Sequence, residues 1–210
     1  MAYHGYICFI SNYAKTVFEN KKTPIKILEI GVDTGITLFS LNNNLNMLNT
    51  PFEYKGIDIL IQPHIDIMKY TFLQANKNKI ELIQENSLSY LEKCNEVFDI
   101  ILIDGDHNYK TVIKELSYLD NISHKNTLVV CDDYFGRWSK KDLYYSEREA
   151  YQENKIATPK EESEKQGVGT AIDEFLQNNK YNVFTLFESG EPICLIKKEN
   201  EIIGNKSEES

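Results

Sequence analysis

Residues 98–116 read FDIILIDGDHNYKTVIKEL. The opening run is apolar on successive positions rather than alternating ones, the pattern of a strand covered on both faces. It stops in Asp104, Gly105, Asp106 and His107. From residue 108 to 121 the apolar spacing becomes helical, with Val112, Ile113, Leu116 and Leu119 on one face. A buried strand leading through a short polar turn into a helix is the repeating unit of an α/β sheet.

The same unit recurs on both sides. IKILEIG (25–31), YKGIDIL (54–60), IELIQEN (80–86) and TLVVCDD (127–133) are further short apolar runs. Between them the spacing predicts helices over 35–48, with Thr34 as N-cap and Leu38, Leu41 and Leu45 inward, and over 63–76 and 87–95. Strands alternating with helices, joined by right-handed crossovers, give a doubly wound parallel sheet. YNVFTLFES (181–189) and EPICLIKK (191–198) flank Gly190 and read as an antiparallel hairpin. The expected fold is α/β, a Rossmann-like, mostly parallel seven-stranded sheet with a C-terminal antiparallel hairpin, in one domain over residues 1–198. Residues 136–168 are charged and poor in aliphatics, so they read as a mobile insertion or lid. Residues 199–210 are expected to form a disordered tail.

Composition narrows the function. A chain of 210 residues suits a single domain. Its formal net charge of −9 opposes nonspecific attraction to nucleic acid or to anionic lipid. The N-terminal stretch has no basic leader, and its apolar run is too short for a signal peptide or a membrane span, so a soluble, cytoplasmic protein is expected. Cys8, Cys94, Cys131 and Cys194 form no CxxC pair, which suits reduced thiols.

In open α/β sheets, ligands bind beyond the carboxyl ends of the strands. The first strand ends in Glu29-Ile30-Gly31-Val32-Asp33-Thr34-Gly35, where Gly31 would admit a ligand close to the backbone and Gly35 would permit close helix packing. The second ends at Asp58, an acidic side chain able to accept both hydroxyls of a ribose, or to cap the next helix. The turn lacks GxGxxG and the chain has no Walker A lysine, so a nucleoside cofactor without phosphates fits better than a dinucleotide or triphosphate. The third strand ends in Glu85-Asn86-Ser87, suited to an adenine edge or to an N-cap. The fourth and fifth end at Asp104 and at Asp132-Asp133, and neighbouring parallel strands end at similar heights. Three carboxylates so placed call for a divalent cation such as Mg²⁺ or for a proton on one of them, unless some of them cap helices and never meet.

These residues resemble the class I S-adenosylmethionine-dependent methyltransferases, in particular the small-molecule O-methyltransferases of macrocin and catechol type. EIGVDTG is similar to their first motif, IDGDHNYKTVIKEL followed by LVVCDDY resembles their fourth and fifth strand ends, and GVGTAIDEFL (167–176) resembles their last helix. The resemblance runs from about Ile25 to Lys198. It implies that Glu29, Gly31 and Gly35 line the methionine end of S-adenosylmethionine, with Asp58 at the ribose, Ser87 at the adenine and Asp104 beside the cofactor. It also implies that Asp104, Asp132 and Asp133 hold Mg²⁺. Catechol-type members carry a lysine three residues after the first metal Asp; here that position is His107, a candidate base, or else a ring that stacks on the cofactor or orders the turn, with Asp104 as the alternative proton acceptor. Asp106 could serve the turn or cap the next helix.

The implied partner is a small-molecule acceptor, and a homo-oligomer stays open. Three other functions share the fold: a metal-independent N- or protein methyltransferase, a non-catalytic S-adenosylmethionine-binding module, and a nucleotide-linked oxidoreductase, the last disfavoured by the incomplete glycine fingerprint.

Overall fold

A computed structural model describes residues 3–67, 78–185 and 192–198. Its centre is a seven-stranded sheet of β1 (Ile25–Ile30), β2 (Phe52–Asp58), β3 (Lys79–Gln84), β4 (Phe98–Ile103), β5 (Ser123–Cys131), β6 (Tyr181–Thr185) and β7 (Ile193–Lys197). The strands lie in the order β3-β2-β1-β4-β5-β7-β6. Only β7 runs against its neighbours, pairing antiparallel with both β5 and β6. This is the expected doubly wound sheet with its terminal hairpin. The part of the hairpin around Gly190, the end of the 63–76 helix and the tail lie outside the described residues.

Non-alternating strands follow from burial on both faces. Ile101 and Ile103 of β4 face one way, into a core with Leu28, Ile30, Val129 and Cys131. Against it pack α3 (Ser87–Lys93), α4 (Tyr109–Ser117) and α6 (Val168–Asn178), through Leu91, Val112, Leu116, Ile172 and Phe175. Ile100 and Leu102 face the other way, with Ile25, Ile27, Tyr54 and Val130, against α1 (Tyr3–Val17) and α2 (Ile36–Met47). The helix α1 was not anticipated. Its buried Tyr6, Ile7, Ile10 and Ala14 recur at helical spacing and cover a sheet face that would otherwise be wet.

Local differences have local causes. α2 starts at Ile36, behind Gly35 at φ 75° and without a side-chain cap, so Thr34 is not the cap; its carbonyl instead lies 3.1 Å from His64 Nε2. The predicted 108–121 helix breaks at Tyr118 into α4 and the short α5 (Leu119–Ile122). β5 begins earlier than the apolar run, because the register shifts between Phe98 and Ile100. That irregularity is tied by Thr127 Oγ1, which donates to the Phe98 carbonyl at 2.7 Å.

The register sets the site. Ile30 pairs with both Ile57 and Ile103, Asp58 with Gln84, and Ile103 with Cys131. Gly31, Glu85, Asp104 and Asp132 therefore leave the sheet at one level, next to Asp58. The strand order reverses between β1 and β4, which opens a crevice there.

Candidate active site

That crevice holds a cavity of about 330 Å³, lined by the ends of the first four strands. Gly31, Asp58, Ser87 and Asp104 are on its wall, as is Asp106. Gly31 has φ 88°, and its N–H donates to the Ile57 carbonyl at 2.9 Å. A Cβ there would overlap the Asp104 carbonyl and crowd Gly105. Glycine is thus dictated by the approach of two strand-end turns as well as by the left-handed backbone. Gly35 lies off the wall, facing the Ile65 side chain.

Asp58 does more than face the cavity. Its Oδ2 accepts from the N–H of Val32 (2.7 Å) and Asp33 (2.9 Å), and its Oδ1 accepts from Leu60 N–H (2.9 Å). The carboxylate therefore fixes the first glycine turn and the exit of β2 together. Glu29, expected at the methionine end, lies behind the wall. Only 2% exposed, it is hydrogen-bonded by Tyr54 Oη. Burial, partly offset by hydrogen bonds from Tyr54 and Thr37, raises its carboxyl to about 8.

The roof comes from residues 136–168, the segment whose composition reads as a mobile insertion or lid. They carry two 3₁₀ turns, Tyr145–Glu147 and Glu149–Tyr151, and Tyr145, Arg148, Tyr151 and Thr158 all line the cavity. The rings of Tyr145 and Tyr151 meet edge to face at 5.2 Å, with the Arg148 guanidinium over Tyr145. Asparagines stitch this strap down. Asn154 Nδ2 donates to the Ile59 carbonyl at 2.8 Å, and Asn86 Nδ2 donates to the Ile156 carbonyl and to Thr158 Oγ1, both at 3.0 Å. Asn86 Oδ1 meanwhile caps α3, accepting from Leu88 and Ser89 N–H. A signal for the roof was present, since DLYYSEREAY concentrates three tyrosines in an otherwise charged segment.

The opening motif divides into separate tasks. Asn108, not Asp106, caps α4, accepting from Thr111 N–H at 2.8 Å. Asp106 accepts from Thr111 Oγ1 at 3.2 Å, and burial raises its carboxyl. Asp104 sits well above the usual carboxylate range because it is buried and faces the charges of Asp132, Glu29 and Asp133, with a hydrogen bond to Asp132. Carboxylates this close repel one another, which favours a proton on one of them or a cation between them. Asp133 turns instead to His107, whose Nδ1 is 3.1 Å from Oδ2. Among the described residues, no group of three or more acidic, histidine or cysteine side chains is gathered as a metal site.

His107 is held from both sides, by the Asp133 contact and by its own carbonyl, which accepts from Leu143 N–H at 2.9 Å. Burial lowers its imidazole to about 4, with the Asp132 charge opposing and Arg148 adding to the fall. The ring is therefore neutral near neutrality, with Nδ1–H donating to Asp133 and Nε2 left to take a proton.

A sheet in this order, with a roofed cavity at its switch point, is the fold of the class I S-adenosylmethionine-dependent methyltransferases. The chain belongs to the methyltransferase-domain family, whose profile matches residues 28–134. Solved structures agree. The SAH-bound methyltransferase PaMTH1 of Podospora anserina is 15% identical, with a TM-score of 0.53 over 90% of this chain and 78% of that one. The O-methyltransferase of Bacillus cereus in complex with SAH is 16% identical, with a TM-score of 0.54 over 92% and 80%. The MycE methyltransferase of the mycinamycin biosynthetic pathway, in complex with Mg, SAH and mycinamycin VI, is 15% identical, with a TM-score of 0.54 over 95% of this chain and 52% of that one. Comparison with curated protein sequences gives no match. No helix among the described residues is long and apolar enough to cross a membrane.

Proposed function

We propose that this chain transfers the methyl group of S-adenosylmethionine to a hydroxyl oxygen of a small molecule, sugar-like or phenolic. The observation that carries the reading is the cavity itself: Gly31, Asp58, Ser87 and Asp104, singled out as cofactor residues, share one wall at the switch point. In that reading the Gly31 turn admits the methionine end, Asp58 faces the ribose and Ser87 the adenine. Tyr145, Arg148 and Tyr151 exclude water from above. The reaction is an in-line displacement in which the acceptor O–CH₃ bond forms as the S–CH₃ bond breaks, and His107 Nε2 or Asp104 takes the hydroxyl proton. Tyr134 and Trp138, which follow the fifth strand, pack against the core and do not line the cavity. The MycE complex and the Bacillus cereus O-methyltransferase support small-molecule O-methylation by analogy of fold.

Asp104, Asp132 and Asp133 supply the all-oxygen donor chemistry that suits Mg²⁺. When bound, such an ion would lower the pKa of an acceptor hydroxyl and fix its oxygen. The turn of Asp133 toward His107 Nδ1, 3.1 Å away, favours a second reading, transfer without a metal. Calorimetry with S-adenosylmethionine, with and without Mg²⁺, on the wild type and Asp132→Ala separates them. Binding under no condition would sink the cofactor reading. Turnover that survives chelation would remove only the metal.

A further inference from the structure

Beneath the cavity wall lies a carboxyl that the reaction does not use. Glu115, on α4, is 1% exposed and packs under the start of α3. Its Oε1 accepts from Ser87 Oγ at 2.5 Å, whereas Oε2 has no hydrogen-bond partner among the described residues. An apolar side chain would fill this interior at lower cost, because a buried carboxyl is penalised unless it is well bonded. The single bond to Ser87 is therefore what the acid contributes. Burial raises the Glu115 carboxyl to about 8, and its Oε1 is the oxygen that accepts from Ser87.

A serine hydroxyl has one hydrogen to give and two lone pairs to offer. Once the hydrogen is committed to Glu115, what Ser87 offers elsewhere is its lone pairs, and Ser87 is on the cavity wall. We propose that Glu115 is a positioning residue for the cofactor's purine: it holds Ser87 Oγ toward the cavity as an acceptor only, so that the site selects a 6-amino purine over a 6-oxo purine. The inference rests on the reading above, in which Ser87 meets the adenine. A 6-amino group donates to Oγ. A 6-oxo group would set two acceptors against each other. Without Glu115 the hydroxyl rotates freely and can donate to either ligand's acceptors, so the preference collapses.

The test is calorimetric binding of S-adenosylhomocysteine and S-inosylhomocysteine to the full chain and to Ser87→Ala, Glu115→Gln and Glu115→Ala. The ratio of the two affinities is the readout, because a general loosening of the fold weakens both ligands alike. The wild type should prefer the adenosyl ligand by about tenfold or more, the scale of one hydrogen bond gained or lost. Ser87→Ala and Glu115→Ala should bring the ratio within about threefold of unity, while Glu115→Gln, which keeps an acceptor at Oε1, retains the preference. Should Glu115→Ala fail to fold, Ser87→Ala and Glu115→Gln still decide. A wild type without preference, a ratio unmoved in Ser87→Ala or Glu115→Ala, or a collapse in Glu115→Gln overturns the proposal while leaving the cofactor reading intact. If neither ligand binds the wild type, the cofactor reading falls and takes the proposal with it.

Discussion

Replacing Asp58 tests whether the carboxylate proposed to face the ribose also holds the site together. In Asp58→Ala three N–H donors lose their acceptor: those of Val32 and Leu60 are partly buried, and that of Asp33 is exposed. The exposed donor recovers a bond to water at little cost, while each partly buried one costs about 1–1.5 kcal/mol, so the loss should be about 2–3 kcal/mol. For a chain of this size that lowers Tm by about 5–10 °C. Asp58→Asn is the sharper variant. Its carbonyl can keep both bonds made by Oδ2, but its amide then meets the Leu60 N–H donor to donor, so it should lose about half as much. Urea unfolding without ligand measures both, with unchanged m-values as the sign that the folded state is otherwise intact. A loss under about 0.5 kcal/mol in Asp58→Ala would refute the idea that this side chain organises the turn. Equal losses in the two variants would refute the bond count.

Other outcomes follow from the same geometry. Gly31→Ala must place a Cβ on the Asp104 carbonyl at φ 88°, and should cost more than about 3 kcal/mol in urea unfolding or give no folded protein. Asn86→Ala removes a helix cap and both strap bonds; about 1 kcal/mol of stability should go with the cap, and proteolysis should cut within residues 150–160 faster than in the wild type. Glu115 titrates near 8 in the folded state against a usual value of 4.5, so between these pH values the folded chain holds a proton that the unfolded chain has released. Wild-type stability should fall as pH rises through that window, and Glu115→Gln should lose up to about one proton's worth of that slope in urea midpoints taken from pH 5 to 8.5.

The sheet was legible because its strands are buried on both faces, which leaves unbroken apolar runs with polar residues only at their ends. Those ends carried the site, and the parallel register turned sequence positions such as Asp58 and Asp104 into neighbours. Three things were hidden. α1 was hidden because the N-terminus was weighed as a leader, although Tyr6, Ile7, Ile10 and Ala14 have helical spacing. The division of the DGDHN turn was hidden because Asp106 and Asn108 are equally good caps by type, and only the backbone decides which accepts from the Thr111 N–H. The lid reading of 136–168 was available, but its fixed order was hidden, because that order comes from bonds to distant strand ends, Asn154 to Ile59 and Asn86 to Thr158, which leave no periodic trace in a charged segment. The neighbourhood of Asp132 and Asp133 followed from strand order, but the direction each side chain takes did not.

The strap also joins two properties that are often treated as separable. One continuous segment between β5 and α6 supplies Tyr145 and Tyr151 to the switch-point cavity, the proposed cofactor site, and, through Leu143, grips the backbone of His107. Anyone exchanging this segment to change the acceptor would at the same time reset how long the cofactor stays and where the candidate base points. Acceptor scope and cofactor residence would therefore evolve as a single trait, with Asn86 and Asn154 as the rivets that any transplanted loop must preserve.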